Sequence, residues 1–291
     1  MNGHAKNGQE NEGEGTRMDC RLIALDLDGT LLNREKQIPP ENLAALERAH
    51  RAGIVLVPAS GRSRAGIPDC VKAAPYFRYF ITSNGASVWD RARGEEIWSA
   101  PIAPELALRA LAALGEMDGE TDVYADGGGL IGAASVKRLA EFPMPARQLA
   151  YIRATRRPVA SLRDAVAAAR SVELMQILLR EPAQKQALIA RLREQFPGLS
   201  VVTSMDNNIE LNSARAGKGA ALTALCGLLG IPTEQTAAFG DEQNDLPMLR
   251  AAGLGIAMGN AQPEVRAAAG LVTGTNEEAG VAQAIFRLLE N

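Results

Sequence analysis

The chain is short of the residues that build several common active sites. It holds 291 residues but only two histidines, His4 and His50. His4 lies in a polar N-terminal stretch and His50 in a helical pattern, so no histidine-based triad or zinc site is expected. Three cysteines, Cys20, Cys70 and Cys226, are scattered and odd in number. They make neither a metal pattern nor a disulfide framework, which fits a reducing compartment and a cytoplasmic location. Aromatic residues make up 4%, which argues against base-stacking platforms. A net charge of −3 lacks the basic excess that nucleic acid attracts, and no basic amphipathic face marks a membrane surface. The longest apolar run, residues 220–231, is interrupted by glycine and too short to span a bilayer. Residues 1–17 are rich in Gly, Asn, Glu and Lys and lack an apolar core. They read as a disordered leader, not a signal peptide or membrane anchor.

What is present is a chain long enough for one large or two medium domains, with 46% hydrophobic residues. Its central stretch is Leu22 to Leu32, an apolar run that ends in Asp26-Leu27-Asp28-Gly29-Thr30. The apolar half predicts a buried parallel strand. The acidic half then falls at the strand's carboxyl end, where open α/β sheets place their chemistry. An amphipathic helix is predicted over residues 43–49, stopped by Gly53. Further strands are predicted at residues 54–57 and 79–82, and strand–helix–strand–helix–strand is a parallel half-sheet. Residues 88–98 predict a hairpin, with Trp89 and Trp98 as packing residues. Helices near 104–117, 161–170 and 182–196 alternate with strands near 122–125, 130–134, 173–179 and 199–203, while residues 135–160 give no clear pattern. Asp126 and the three glycines after it read as a mobile loop or a plain turn. The α/β rhythm returns at residue 208, with strands at 209–211, 236–239 and 254–258. The expected organisation is a Rossmann-like core, residues 18–85 and 208–291, interrupted by an α+β unit at 86–207.

Four polar clusters follow strands or open helices: Asp26/Asp28, Ser60-Gly61, Lys218, and Asp241 with Asn244-Asp245. Taken singly, each has a plainer reading. Ser60-Gly61 is a turn, Lys218 a solvated helix residue, and Gly240 to Asp245 a loop with a helix cap. Arg62 could reach an anionic substrate or hold a loop. Parallel topology brings these strand ends to one edge, and together their chemistry is coherent. Two carboxylates one residue apart repel unless a cation lies between them. Aspartates without histidine or cysteine make a hard oxygen site suited to Mg²⁺. Ser60, the Gly61 backbone and Lys218 offer donors and positive charge to a phosphate. A carboxylate facing a phosphate so held can attack it and form an aspartyl-phosphate.

These four clusters, in this order, resemble the four motifs of the haloacid dehalogenase superfamily. The large insertion between the second and third resembles that of its Cof-type phosphatases. Ser83-Asn84-Gly85-Ala86, Met258-Gly259-Asn260-Ala261 and Asn276 to Ala282 are similar to the same branch. The resemblance runs from about residue 18 to the end and implies a core with an inserted cap that selects substrate. It implies Asp26 as nucleophile and Mg²⁺ ligand, and Asp28 as general acid/base whose backbone carbonyl also binds Mg²⁺. It implies that the Leu27 backbone N–H, Ser60, Gly61, Lys218 and Asn244 hold the phosphoryl group. Asp241 would be the third metal ligand, with Asp245 orienting the metal's water shell or Lys218, and Thr30, Arg62 and Asn84 supporting. Serine at position 60 departs from the usual threonine but keeps the hydroxyl. Pro58 before it and Ala279, where an aspartate is common, also depart from the pattern. The expected activity is hydrolysis of a small phosphate ester, a sugar phosphate or a nucleotide or cofactor phosphate. A phosphomutase or disaccharide-phosphate phosphatase is the near alternative, and a silent binding or regulatory protein the distant one.

Overall fold

A computed structural model describes residues 19–142 and 144–290; the expected leader at 1–17 lies outside them. In chain order the strands are β1 (Leu22–Leu25), β2 (Val55–Pro58), β3 (Tyr79–Thr82), β4 (Ser87–Asp90), β5 (Glu95–Ser99), β6 (Gly119–Ala125) and β7 (Gly128–Gly132). There follow β8 (Arg156–Val159), β9 (Val172–Leu179), β10 (Leu199–Val202), β11 (Asn208–Ser213), β12 (Thr236–Gly240), β13 (Leu254–Ala257) and β14 (Leu271–Val272).

The core sheet has the order β14-β13-β12-β1-β2, all parallel. Its strands are buried apolar runs because helices cover them, as a parallel sheet requires. Helix Pro40–Arg51 starts on a proline, and Gly53 follows its end with φ +83°. The chain between β11 and β12 forms helix Lys218–Leu229, closed by Gly230 in the left-handed region. Placing β1 beside β12 sets the site. Leu25 pairs with Phe239, so the residues just past them, Asp26 and Gly240-Asp241, emerge together.

The third strand differs from expectation. Beside β2, the chain at β3 makes isolated parallel bridges, Leu56–Phe77 and Ala59–Ile81, instead of a continuous ladder. It pairs antiparallel with β4, which pairs with β5, in a separate three-stranded sheet. Val88, Trp89, Ile97 and Trp98 pack against the core cluster of β1, β2 and β12. The hairpin expected in the insertion therefore belongs with the core. At the other end, β11, expected in the core, lies between β10 and β9 of the second large sheet. Its Ile209 and Leu211 join that sheet's own apolar cluster. The change of unit thus falls near residues 100–102 and 213–217, not at 85/86 and 207/208. Alternation alone marks a hairpin or a short strand; which core it covers is set by partners far away in sequence.

The inserted sheet has the order β10-β11-β9-β6-β7-β8 and is antiparallel except for β7 with β8. Residues 135–160, unreadable by pattern, contain helices Ala133–Arg138 and Ala146–Thr155 and then β8. Asp126 and Gly127, both at positive φ, make the two-residue turn joining β6 to β7. Their turn docks on the core, where the Ala65 amide donates to the Gly127 carbonyl at 2.9 Å. Among the described residues no helix is long and apolar enough to cross a membrane.

Asn42 ties the last helix, Gly280–Glu290, to the rest of the core. Fully buried, it accepts from the Ala282 amide at 3.0 Å and donates to the Leu31 carbonyl at 3.3 Å. Asn42→Leu leaves both groups unpaired, so it should destabilise the fold by about 1–3 kcal/mol. Denaturant unfolding at fixed pH checks this; a midpoint equal to the parent's would contradict it.

Candidate active site

Three carboxylates and one lysine meet at the carboxyl end of the core sheet. Asp26 follows β1, Asp241 follows β12, and Asp245 ends the turn Gln243–Asp245. Lys218, the first residue of helix Lys218–Leu229, is 1% exposed. Its Nζ donates to Asp26 Oδ1 at 2.5 Å and to Asp245 Oδ1 at 2.6 Å. The plainer reading of Lys218 as a solvated residue does not hold. The other Asp245 oxygen accepts from the Asp241 and Glu242 amides, each at 3.0 Å. Asp241 Oδ1 accepts from the Thr30 hydroxyl at 2.8 Å. Thus Thr30 and Asp245 brace the loop after β12 against the loop after β1.

The electrostatics of this cluster are lopsided. Burial pushes the Asp26 carboxyl well above the usual carboxylate range; Lys218 opposes the rise, and Asp245 and Asp241 add to it. Burial, then the charge of Asp245, pushes Asp241 up to about 7. Burial alone would lower Lys218, but Asp245 and Asp26 outweigh it and hold the ammonium above its ordinary value. One cation faces three carboxylates, and ligand oxygens of Asp26, Asp241 and Asp245 lie within 4.8 Å of one another. An all-oxygen set with excess negative charge fits a hard divalent cation, Mg²⁺ before zinc.

Asp28 stands apart from that cluster. Its carboxylate accepts from Arg62 Nε at 2.6 Å and Nη2 at 2.8 Å, and from Lys36 Nζ at 2.5 Å. Burial would raise it, but the Arg62 hydrogen bonds and charge, with Lys36, hold it well below the usual range. Arg62 also donates to the Gly66 carbonyl at 3.3 Å. Arg62 therefore holds a loop and a carboxylate at once. Lys36 was not singled out from the sequence, for it lies in an ordinary polar turn with nothing to mark it.

Ser60 and Gly61 line the same cavity, beside Asn84 and Asn244. Asn84 sits at φ +56°, and a side chain at Gly61 would meet its Oδ1 at 2.7 Å. Asn84 accepts from Asn244 Nδ2 at 3.2 Å and donates to Glu210 Oε2 at 2.7 Å and Asn212 Oδ1 at 3.2 Å. It thereby joins the core to β11. The Asn244 Oδ1 is buried without a protein partner. The Leu27 side chain is buried in the core. Asn260, noted only as part of a similar motif, donates to the Gly29 carbonyl at 2.8 Å and helps hold the first loop.

The cavity measures about 810 Å³. Its far wall comes from the inserted unit and includes Tyr124, Tyr151, Arg156, Gln176 and Glu210. None of these was singled out from the sequence. Glu210 and Gln176 sit on strands whose neighbours could not be assigned, and Tyr151 lies in the stretch that showed no pattern.

The raised Asp241 has a measurable consequence. Between its ordinary value of 3.8 and about 7, the folded protein keeps a proton that the unfolded chain has released. Stability therefore falls as pH rises through that window. In chelator the melting temperature should be higher at about pH 5 than at about pH 8, Asp241→Asn should reduce that slope, and Mg²⁺ should restore stability most at the higher pH. Equal slopes in parent and variant would contradict the assignment.

Known proteins similar to this chain cover most of its length. Residues 23–285 match the family model for haloacid dehalogenase-like hydrolases. Phosphatase YwpJ of Bacillus subtilis (strain 168) is 32% identical over 92% of this chain and 100% of its own length. Pyridoxal phosphate phosphatase YbhA of Escherichia coli (strain K12) is 31% identical over 92% of this chain and 98% of its own. A solved haloacid dehalogenase-like hydrolase from B. subtilis superposes with a TM-score of 0.80 at 31% identity, covering 92% of this chain and 99% of that one. The match takes in both the sheet that carries the acid–lysine cluster and the unit that roofs it, and on that ground the chain belongs to the haloacid dehalogenase-like hydrolases.

Proposed function

We propose that the protein is a Mg²⁺-dependent phosphatase for a small phosphorylated metabolite. The observation that carries this reading is Lys218, buried between Asp245 and Asp26, the carboxylate that lines the cavity. A buried ammonium with an all-carboxylate neighbourhood suits a site that takes both a divalent cation and a phosphate dianion. Asp26 and Asp241 would hold the cation, joined by the Asp28 backbone carbonyl. When bound, the cation supplies charge neutralisation of the phosphoryl oxygens and of the carboxylates around them.

The chain's own residues divide the remaining work. Lys218, Ser60, the Gly61 backbone, the Leu27 N–H and Asn244 orient the phosphoryl group. An Asp26 oxygen attacks phosphorus, the bond to the leaving oxygen breaks, and Asp28 gives that oxygen a proton. Water then attacks the aspartyl-phosphate and returns its proton to Asp28. Held as a carboxylate by Arg62 and Lys36, Asp28 stands ready for the second step. For the first, those contacts open so that it takes up a proton. The inserted unit closes the cavity from above, limiting water and choosing the leaving group. A cavity of about 810 Å³ accommodates a ligand the size of a cofactor phosphate, and the similar pyridoxal phosphate phosphatase acts on one.

A phosphate-release screen over sugar phosphates, nucleotides and cofactor phosphates tests the reading. We expect hydrolysis of at least one with Mg²⁺ and none in chelator. Asp26→Asn should lower turnover by at least about a thousandfold with an unchanged circular-dichroism spectrum. Full turnover in that variant sinks the mechanism. Isomer formation without free phosphate would favour a mutase, and no reaction on any ester would favour a binding protein.

A further inference from the structure

One ring of the inserted unit reaches the reaction centre. Tyr151, in helix Ala146–Thr155, has its ring centroid 4.4 Å from the Arg62 guanidinium carbon. The Arg156 guanidinium carbon lies 5.4 Å from the same centroid and 4.5 Å from that of Tyr124. Arg156 is itself anchored, donating to Asp122 Oδ2 at 3.0 Å and to the Tyr124 hydroxyl at 2.5 Å. A column of rings and guanidiniums therefore runs from the second motif of the core into the inserted sheet. The core leaves room for it, because a Cβ at Gly66 would lie 2.6 Å from the Tyr151 hydroxyl oxygen. That hydroxyl is buried and makes no hydrogen bond of good geometry, although the phenol also adds to the stabilisation of the Arg62 and Arg156 charges. The ring face is the contact that the centroid distance defines for Arg62.

We propose that Tyr151 is a positioning residue that holds the Arg62 guanidinium edge-on to Asp28 and so ties the orientation of Asp28 to the seating of the inserted unit. A guanidinium hydrogen-bonds in its plane and stacks on its face, and the two do not compete. Arg62 spends its plane on both Asp28 oxygens and the Gly66 carbonyl. Its face is left for a ring, and the only ring against it among the described residues is Tyr151. Arg156 can share that ring because Asp122 balances its charge. When the inserted unit lifts, the ring leaves with it and the guanidinium is free to turn.

The proposal rests on the phosphatase reading for its catalytic meaning, and two measurements keep the two separable. The first uses the full chain without substrate and follows ¹⁵N relaxation of the Arg62 Nε–H. We expect a rigid group in the parent and in Tyr151→Phe, and an order parameter below about 0.6 in Tyr151→Leu. The second measures phosphate release from p-nitrophenyl phosphate with Mg²⁺. Tyr151→Leu should lower kcat about three- to tenfold with little change in KM, and Tyr151→Phe should recover most of that loss. On an Arg62→Ala background, Tyr151→Leu should cost nothing further. An Arg62 Nε–H equally rigid in Tyr151→Leu overturns the proposal, as do losses that multiply in the double variant or fall on KM alone. A parent chain that releases no phosphate removes the phosphatase reading, while Arg62 relaxation still decides whether Tyr151 holds the guanidinium.

Discussion

The interaction on which the rest depends is the pair of contacts made by one buried lysine. Three carboxylates cannot gather at the end of a buried sheet by themselves, because each resists ionisation beside the others and away from water. Lys218 makes the gathering possible by touching Asp26 and Asp245 at once. Those two contacts join segments 192 and 27 residues away from it. The first and fourth motifs therefore share one counter-charge. The arrangement is left short of positive charge, a shortage that a divalent cation would answer.

Around this floor the protein uses neutral side chains to hold shape. Asn84, in the left-handed region, accepts from Asn244 and donates to Glu210 and Asn212. The neighbouring Ser83 hydroxyl donates to Glu173 at 2.5 Å, and the Gly127 amide donates to the same carboxylate at 2.6 Å. Burial pushes Glu173 up, with Ser83 and Gly127 opposing. Across the two units, Asn84 to Glu210 and Ser83 to Glu173 each pair a neutral donor with a carboxylate, so neither is an ion pair. The ion pairs of the site, Lys218 with Asp26 and Asp245 and Arg62 with Asp28, join segments of the core, while the buried Arg156–Asp122 pair lies inside the inserted unit.

The core was readable because its signals are local. Val55 to Pro58 and Thr236 to Gly240 are short buried runs ending in turn residues, and each became a parallel strand. Gly53 and Gly230 marked helix ends through their own backbone freedom. The inserted unit was less readable because its signals are not local. β11 offers only Ile209 and Leu211 as apolar residues beside the returning α/β pattern, and its pairing with β9 and β10 shows where it belongs. The hairpin of β4 and β5 has the pattern of an insertion's first strands, but Val88 and Trp98 pack against the core. Helix Ala146–Thr155 buries only Ile152, so its periodicity is faint.

By itself the sequence determined which residue types stand at the strand ends: the aspartates, the serine–glycine pair and the lysine, each at the close of an apolar run or the opening of a helix. Composition and chain order settle that much, since strands bury and their ends turn polar. Tertiary structure alone decided how these groups use one another. It sank Lys218 among carboxylates, turned Asp28 away toward Arg62 and Lys36, and brought Tyr151 across from the inserted unit onto Arg62. Such choices depend on contacts between segments tens to hundreds of residues apart. No local propensity encodes them, because the partner that makes each contact favourable is absent until the sheets have packed.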